Sequence, residues 1–493
     1  MLEDIITERR KKLDAIKAAG IDPYPARVKR SFAIAHALAE FDALATASAS
    51  SSASGGEKIS LTGRVRSLRD QGKIIFADIE DESGTIQAVL KEDALSELPF
   101  WRSVLDMGDF ISVTGLLFTT KRGEKSIEAH ELQLASKSLL PMPDKWEGLQ
   151  DDDIRFRKRY LDLIAGENLR ELFRKKTIFW ETFRNALKRE GFLEVETPVL
   201  ENLPGGAEAA PFKTHHNALD TEFYLRISLE LPLKRLLVGG YDKVFEIGRI
   251  FRNEGIDREH LQDYTQLEFY WAYSDYHDVM RLTEKIYKEV IEKTCGGLVT
   301  EFAGGAKKID WSKKWPTVDY VEAFKKANDG LDPISASHAE LLAKAKELKL
   351  EADKSAGKGR LIDLIFKKTV RSTLIEPCFL INPPVEIEPL AKRHPENPAV
   401  VERFQIVACG TELGKGFSEL NDPDDQRTRF EEQMKLRAAG DAEAQYLDED
   451  FLEALQYGMP PAGGFGVSER LFSILMDMPV RETVFFPLMR EKK

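Results

Sequence analysis

The chain has 493 residues, of which 42% are hydrophobic and 31% charged, and its formal net charge is −12 at pH 7. This composition is typical of a globular protein with roughly two to four domains of about 150 residues each, and the acidic balance argues against nonspecific nucleic-acid binding over the whole surface, while leaving room for a local basic groove. No apolar run reaches about 18 residues, so no transmembrane helix is expected, and three widely separated cysteines predict a reducing, cytoplasmic setting without a disulfide framework or a cysteine-based zinc site.

The first predicted element is an amphipathic helix that ends at Gly20, ahead of the stop signal DPYP. Residues 45–56 are dominated by Ser, Ala and Gly. Because they carry too little apolar surface to bury, they are predicted to form a flexible surface loop. Residues 1–57 are therefore assigned to an N-terminal helix and this Ser/Ala loop.

The next segment, from Ile59 to about Leu140, is a succession of short strands with turn signals at DESG and KRGE. Several strands at this spacing within about 80 residues predict a small β-barrel. The Pro-bearing segment PMPDKW at 141–146 has the composition of a linker. Residues 58–142 are therefore predicted to form a barrel domain.

Residues 143–493 mix helical and strand patterns and are predicted to form a second domain. A strong amphipathic helix is predicted over 166–190, and a mostly helical insertion around 295–375. Residues 403–420 predict a further strand. The Gly-rich stretch 462–466 predicts a turn that leads into a helix carrying Arg470.

Two alternating segments in this second domain, 245–254 and 264–273, predict an antiparallel hairpin. Arg252 and Glu254 would share one strand face about 7 Å apart. If the charged faces of the two strands coincide, Glu268 and Tyr270 line the same surface. This surface is either a solvated outer sheet face or a ligand site, and the aromatic residues of the second strand favour a central, buried position.

Three segments resemble the signature motifs of class II aminoacyl-tRNA synthetases: GFLEVETPVL at 191–200, FEIGRIFRNEGI at 245–256 with its return strand, and GGFGVSERL at 463–471. Residues 204–240 and GFSELNDPDDQ at 416–426 are similar to the lysyl-tRNA synthetase family of bacterial type. The resemblance covers nearly the whole chain. It implies an α+β fold, with an N-terminal OB-fold barrel that binds the anticodon, a catalytic domain built on an antiparallel sheet flanked by helices, and a homodimer.

The resemblance also implies a two-step reaction with Mg²⁺ as cofactor. L-lysine attacks the α-phosphate of ATP, which gives lysyl-adenylate and pyrophosphate, and the lysyl group then passes to the 3′ end of tRNA(Lys) with release of AMP. Phosphoryl chemistry of this kind needs alignment and charge neutralisation more than a covalent nucleophile.

By position, the resemblance assigns the catalytic roles to Arg252 and Arg470. The residues that it assigns to ATP are Arg252, Glu254, His260, Tyr264, Glu412 and Arg470. The residues that it assigns to lysine are Gly206, Glu230, Arg252, Glu268, Tyr270, Lys415, Phe417 and Glu419. The residues that it assigns to the anticodon are Phe76, Gln87 and Glu131. The planar fork of Arg252 suits a carboxylate and an α-phosphate together, since it donates in two directions.

Two positions depart from the family pattern near the implied metal. Glu412 matches a Mg²⁺ ligand, but Gln405 stands where the family usually has a metal-binding glutamate. The side-chain carbonyl of Gln405 can still coordinate Mg²⁺, but it contributes no negative charge. Lys415 stands where the family usually has asparagine near the substrate carboxylate. We hypothesise that Lys415 partly replaces the charge lost at Gln405. The third motif reads GVSERL where the family usually has GIDRL, and the motif-two loop reads REHLQDYT where it usually has RHNPEFT.

Three alternatives stay open. A synthetase for aspartate or asparagine has a similar barrel and core, but the acidic residues Glu268 and Glu419 and the segment GFSELND disfavour it, and an aspartate pocket would need cations at those positions. A ligase that attaches lysine to a protein lacks the N-terminal barrel. A catalytically silent tRNA-binding paralogue is disfavoured because Arg252, Glu412 and Arg470 are present, although Gln405 keeps it open.

Overall fold

The computed structural model describes residues 2–50, 58–142, 151–255, 260–351, 356–441 and 443–491. The chain divides into two compact units, Met1–Gln150 and Asp151–Lys493. The first unit contains helices α1 (Leu2–Ala18), α2 (Ile34–Ala39), α3 (Phe41–Ser50) and α4 (Leu98–Val104), and strands β1 (Ile59–Asp70), β2 (Ile74–Glu80), β3 (Thr85–Lys91), β4 (Phe110–Thr119) and β5 (Lys125–Ser136).

The second unit is larger and mixes both kinds of element. Its helices are α5 (Asp152–Arg157), α6 (Arg159–Ala165), α7 (Glu167–Arg189), α8 (Glu230–Val238), α9 (Tyr276–Cys295), α10 (Tyr320–Ala327), α11 (His338–Glu347), α12 (Lys358–Thr369), α13 (Pro423–Ala438), α14 (Glu449–Gln456) and α15 (Arg470–Leu475). Its strands are β6 (Leu193–Glu194), β7 (Leu200–Glu201), β8 (Lys213–His216), β9 (Thr221–Leu225), β10 (Lys243–Phe251), β11 (Asp263–Ala272), β12 (Val299–Phe302), β13 (Lys307–Asp310), β14 (Thr317–Asp319), β15 (Cys378–Ile381), β16 (Arg403–Ala408), β17 (Thr411–Ser418) and β18 (Ala462–Ser468).

The predicted barrel is confirmed. In the part of the first unit that the structure describes, strands close in the order β1-β2-β3-β5-β4. Alternation along β2 explains the closure, because Ile75, Ala77 and Ile79 are buried in the barrel core while Phe76 and Asp78 point outward.

The Ser/Ala stretch is only partly described, and the part that is described corrects the prediction. Helix α3 runs to Ser50, so residues 45–50 are helical rather than a loop. Alanine is the strongest helix former, and Leu44 and Ala45 pack against the barrel core, which stabilises a helix where composition alone indicated a loop. Residues 51–57 lie outside the described part of the chain.

The second unit is organised around a large sheet. Among the described residues it has eight strands in the order β14-β15-β16-β17-β18-β11-β10-β6. The strands from β15 to β10 are antiparallel, as predicted, but β14 and β6 run parallel to their neighbours at the two edges. Both edge strands reach their partners through long connections that contain helices, and such connections permit parallel pairing.

Three local predictions in this unit were wrong. Residues 403–420 form a hairpin of β16 and β17, because Cys409 and Gly410 adopt positive φ values of 56° and 73° and make a two-residue turn. Residues 462–466 belong to strand β18 and not to a turn. The insertion around 295–375 is not mainly helical at its start, since β12 and β13 form a hairpin and β14 joins the large sheet.

One face of the large sheet packs on α7 and α9. The predicted amphipathic helix over 166–190 is α7, and its Phe179 and Phe183 meet Tyr287 of α9 and Phe465 of β18 in one core cluster. Helix α9 begins at a capping box formed by Asp275. The opposite face is left to α8, α13 and α14, and the candidate site lies there. Within the described residues, no helix is long and apolar enough to cross a membrane.

Candidate active site

A cleft with a volume of ≈ 650 Å³ lies over the central strands of the large sheet. The residues predicted to bind ATP, lysine or metal that line it are Gly206, Glu230, Arg252, Glu254, His260, Tyr264, Glu268, Tyr270, Gln405, Glu412, Lys415, Phe417 and Arg470. They come from segments that are more than 200 residues apart in sequence, so the fold brings together most of the residues that the resemblance selected. Of that set, Glu419 does not line the cleft.

The floor of the cleft is open because β18 carries glycines between two strands with charged side chains. Gly466 lies directly between Glu268 of β11 and Lys415 of β17. Gly464 lies beside Tyr270, and a Cβ atom there would approach the Tyr270 ring to 2.6 Å, which real Cβ atoms do not do. The glycines of β18 are therefore needed because side chains of the neighbouring strands lie directly against its backbone.

A β-bulge places two charged side chains of β17 on the same face. The pairing with β16 shifts between Ile406 and Val407, so that Glu412 and Lys415, three residues apart, both point toward the cleft. Strict alternation would have put them on opposite faces. The carbonyl of Leu413 at the bulge accepts a hydrogen bond of 2.7 Å from the hydroxyl of Tyr287, which anchors the irregular backbone to α9.

Arg252 follows β10 directly and presents its guanidinium to the cleft. Its Nε and Nη2 both donate to the carbonyl of Ile227 at 3.2 Å, and its guanidinium carbon lies 5.7 Å from the centroid of the Tyr264 ring. Among the described residues, no carboxylate forms an ion pair with Arg252. A cation held only by a carbonyl and an aromatic face retains the capacity to bind an anionic ligand.

Glu268 is the most constrained acid of the cleft. Its Oε1 accepts hydrogen bonds from Ser228 Oγ at 2.8 Å, from Leu229 N at 3.0 Å and from Gln266 Nε2 at 2.6 Å. Its Oε2 accepts one from the hydroxyl of Tyr270 at 2.8 Å. These donors hold the carboxylate in one orientation at the cleft wall.

Sequence reasoning missed a buried lysine next to the acids. The Nζ atom of Lys234, fully buried on α8, donates to Glu230 Oε1 at 2.6 Å and forms an ion pair with Glu419. Burial raises the pKa of Glu230 to about 7 in spite of Lys234, and burial likewise raises the pKa of Glu419 well above its ordinary value. The only signal in the sequence was the pair Lys234-Arg235 flanked by leucines in LPLKRLLV, and a lysine usually indicates a surface position.

Glu419 lies against Gly464 on the cleft side of β18 and has spare capacity to accept hydrogen bonds. It is 1% exposed, and its Oε1 accepts no hydrogen bond from any described residue. A Cβ atom on Gly464 would collide with that oxygen, so only the absence of a side chain there connects Glu419 with the cleft. A buried carboxylate oxygen without a donor indicates a position for a cationic ligand group.

At the other end of the cleft, Lys415 belongs to a buried charge network. Its Nζ atom donates to Glu388 Oε2 at 2.8 Å, and Arg403 Nε lies 3.4 Å from the same oxygen. Gln405 is the direct cross-strand neighbour of Lys415, and its Nε2 donates to Glu412 Oε2. The ammonium is therefore held by Glu388 and not by Glu412.

These residues determine which metal arrangement fits. Burial favours a neutral Glu412, but Arg403, Arg470 and Lys415 outweigh it and hold the pKa of Glu412 below its ordinary value. Gln405 presents its amide Nε2 to Glu412 Oε2 and acts there as a hydrogen-bond donor, not as a metal ligand. In the residues that the structure describes, no group of three or more His, Cys, Asp or Glu side chains could hold a metal ion. The arrangement fits a divalent cation shared between Glu412 and a phosphate ligand, and it does not fit one held between Gln405 and Glu412.

The three predicted anticodon residues lie in the barrel of the first unit. Phe76 on β2 points outward and is half-buried. Gln87 on β3 is opposite Asp78 and donates to Glu124 at 3.1 Å. Glu131 on β5 is exposed and accepts a hydrogen bond of 2.6 Å from Lys29. An aromatic ring on the polar outer face of a barrel is suited to stack on an unpaired base.

Comparison with known proteins identifies both units. Residues 59–135 match the family model described as OB-fold nucleic acid binding domain, and residues 151–490 match the one described as tRNA synthetases class II (D, K and N). The lysine–tRNA ligase of Moorella thermoacetica is 44% identical over 497 residues, which cover 99% of this chain and 98% of that protein. The lysine–tRNA ligase of Roseiflexus sp. is also 44% identical and covers 100% and 99%. That of Staphylococcus haemolyticus is 41% identical, with 100% and 99% covered.

The buried ion pairs of Lys234 lead to a first prediction. Lys234→Met removes the only ammonium paired with Glu230 and Glu419 in the described structure, and the two buried carboxylates are left uncompensated. We expect the free energy of unfolding to fall by about 3–5 kcal/mol. Urea-induced unfolding followed by circular dichroism measures this change.

Arg235→Met is the matched control, because Arg235 is the next residue on α8 and its ion pairs with Asp448 and Asp450 are partly exposed. Its loss should cost below about 1 kcal/mol. Equal losses in the two variants would show that Lys234 does not have the structural role assigned to it.

Proposed function

Because the chain belongs to the class II tRNA synthetases and, within them, to the lysine–tRNA ligases, we propose that its cleft activates L-lysine with ATP and passes the lysyl group to tRNA(Lys). The observation that supports this most directly is the charge distribution of the cleft. Glu230 and Glu419 share one ammonium, that of Lys234, and Glu268 adds a third carboxyl group that accepts hydrogen bonds from neutral donors, so one end of the cleft has more acidic groups than internal cations. Arg252 provides a cation at the other. Free lysine carries two ammonium groups and one carboxylate, and complements both ends.

The binding mode follows from this complementarity. The α-ammonium group would bind the Gly206 carbonyl and Glu230, and the ε-ammonium group would bind Glu268, Tyr270 and Glu419. Phe417 would pack on the methylene chain and Arg252 would bind the carboxylate. Aspartate would place a carboxylate among the acids, and a short neutral side chain would leave them unpaired, so discrimination of about 2–5 kcal/mol is expected.

In the first chemical step, a carboxylate oxygen of lysine attacks the α-phosphorus of ATP, the new P–O bond forms, and the bond to pyrophosphate breaks. Arg252 aligns the two reactants because its fork donates to the carboxylate and the phosphate together. Arg470, the first residue of α15, has a buried Nε without a hydrogen-bond partner among the described residues, which suits a contact to the nucleotide. Glu254, Tyr264 and His260 would hold the adenine ring and the terminal phosphates.

A divalent cation accompanies ATP in this family, and we propose Mg²⁺, with Glu412 as its carboxylate ligand from the protein. When bound, the cation neutralises charge on the phosphates. In the second step a hydroxyl of the terminal ribose of the tRNA attacks the lysyl carbonyl. An ester bond forms, the mixed anhydride breaks, and AMP leaves with the electron pair.

The barrel would bind the anticodon of the tRNA. Phe76 would stack on one base, and Gln87 and Glu131 would read base edges, because single-stranded bases are recognised by aromatic platforms with polar groups beside them. Lys29 at 2.6 Å from Glu131 adds a cation for the adjacent phosphate.

We also propose a homodimer in the cytoplasm. Support for the dimer comes from apolar side chains that α7 and the first motif expose to solvent: Ile178, Leu193, Val199 and Leu200. Exposed apolar groups concentrated in one part of the chain are typical of an interface. Support for the compartment is that Cys295, Cys378 and Cys409 are all free thiols.

The activation step is tested by ATP–pyrophosphate exchange with each amino acid in turn. We expect exchange with lysine alone. Arg252→Ala should lower it by several orders of magnitude, since alignment and charge stabilisation are lost together. Arg281→Ala is the matched control, because Arg281 is 71% exposed on α9, pairs with Asp278 on the same helix and does not line the cleft. Exchange with aspartate would refute the assignment of the acidic end, and no exchange with any amino acid would favour a silent paralogue.

The raised pKa of Glu230, about 7, predicts pH-dependent lysine binding. Because the folded, empty protein holds a proton on Glu230 that the unfolded chain releases near its ordinary value of 4.5, its stability falls as the pH rises from about 4.5 through 7. Bound lysine favours the ionised carboxylate, so lysine affinity should rise between pH 6 and pH 8, by up to about tenfold per pH unit for each proton released.

Isothermal titration calorimetry in buffers of different ionisation enthalpy measures both the affinity and the number of protons released. Glu230→Gln is the control and should lose most of the pH dependence. A lysine affinity that is the same from pH 6 to pH 8 in the wild type would contradict the role of Glu230.

The barrel assignment predicts that Phe76→Ala separates the two steps. Loss of one stacked base removes about 1–3 kcal/mol of binding energy, so kcat/KM for tRNA charging should fall by roughly 5- to 150-fold. Lysine-dependent exchange should stay unchanged. Phe110→Ala, which removes a half-buried ring from β4 next to Arg64, is the matched control and should spare charging. Equal losses of charging and exchange in Phe76→Ala would disprove the assignment.

A further inference from the structure

The region around Glu412 departs from a site that holds a metal between two carboxylates. Gln405, Glu412 and Lys415 lie together on one sheet face, because Lys415 is opposite Gln405 across the strands and the bulge at Leu413 turns Glu412 to the same side. One of these three side chains is neutral, one is an anion and one is a cation. Two glutamates in such positions would bind a dication between them.

Lys415 is held in a defined place. Its ammonium donates to Glu388, which is 4% exposed, while the lysine side chain itself stays 38% exposed at the cleft. Arg403 contributes a second cation to the same carboxylate at 3.4 Å. Glu388 therefore orients the ammonium without consuming all of the positive charge around it.

The charges that surround Glu412 are cationic. Arg470 Nη1 donates to the Glu412 carbonyl at 3.4 Å, Lys415 lies on the same sheet face, and Gln405 donates a hydrogen to one carboxylate oxygen of Glu412. A dication placed between Gln405 and Glu412 would have one carboxylate ligand, Glu412, because Glu388 is already paired with Lys415 and Arg403. The same cations attract the phosphates of a nucleotide.

We propose that Lys415 acts as a built-in cation of the nucleotide site, in the place of one divalent metal ion, and contacts the phosphates of ATP and the substrate carboxylate. This inference rests on the proposed function and names a further catalytic residue of that site. While the carboxylate oxygen attacks the α-phosphorus and the bond to pyrophosphate breaks, the ammonium donates hydrogen bonds to the phosphate oxygens on which charge develops. It gives up no proton and forms no covalent bond.

The test counts Mn²⁺ ions bound per chain in the presence of saturating α,β-methylene ATP, with free Mn²⁺ measured from its electron paramagnetic resonance signal. We expect one Mn²⁺ fewer per chain in the wild type than in the double variant Gln405→Glu with Lys415→Asn. Lys415→Arg keeps the cation and should keep the wild-type count. Equal counts in the wild type and the double variant overturn the inference, and so does a failure of the wild type to bind the nucleotide analogue.

A second measurement decides the matter if the double variant does not fold. Lys415→Met should weaken the binding of inorganic pyrophosphate by about tenfold and leave adenosine binding unchanged, because only the phosphates lose a charged donor. Lys367→Met is the matched control, since Lys367 also lines the cleft but pairs with Asp363 on its own helix at 2.6 Å. Unchanged pyrophosphate affinity in Lys415→Met overturns the inference.

Neither measurement depends on turnover, so the role of Lys415 and the proposed ligase function are tested independently. If the wild type binds one Mn²⁺ fewer than the double variant but shows no lysine-dependent exchange, the role of Lys415 is supported and the ligase function is rejected. If exchange depends on lysine but the two counts are equal, the ligase function is supported and the role of Lys415 is rejected.

Discussion

The register of the ladder that joins β16, β17, β18 and β11 determines where every charge of the cleft lies. Alternate residues of β18 lie on opposite faces of the sheet: Phe465 and Val467 are buried against α7 and α9, while Gly464 and Gly466 face the cleft. A slip of one residue would put Phe465 into the cleft, so the apolar core prevents it. With strands about 4.8 Å apart, Lys415 and Glu268 are then about 10 Å apart across a trough without side chains.

The buried charges of this trough are stable only as a set. Lys234 cannot leave its carboxylates without a large free-energy cost, and the acids cannot all ionise around a single ammonium, which is why burial raises the pKa of both Glu230 and Glu419. The empty cleft thus retains protons that a ligand with two ammonium groups would displace. Part of the stability of the folded chain is given up for a site that is complementary to its substrate.

Local patterns in the sequence predicted those features that are determined within a single strand or helix, such as which residues share a face. Alternation put Arg252 with Glu254 on one strand face and Glu268 with Tyr270 on another, and the succession of short strands predicted the barrel. The errors arose where distant residues decide the outcome. Nothing local distinguishes the glycines of β18 from a turn, because the reason for them is the Tyr270 ring on the next strand. Lys234 resembled a surface lysine because its partner Glu419 is 185 residues further along the chain.

The bulge at Leu413 brings three different kinds of side chain together on one face of the sheet: an amide, an acid and an ammonium. Gln405 and Lys415 are direct neighbours on adjacent strands. A substitution at one therefore changes the surroundings of the other side chain without any movement of the backbone. Glu412 takes part only because the extra residue turns it to their side, and Tyr287 holds that irregularity through a hydrogen bond. One irregular backbone thus places a neutral amide, an acid and an ammonium side by side on the same sheet face.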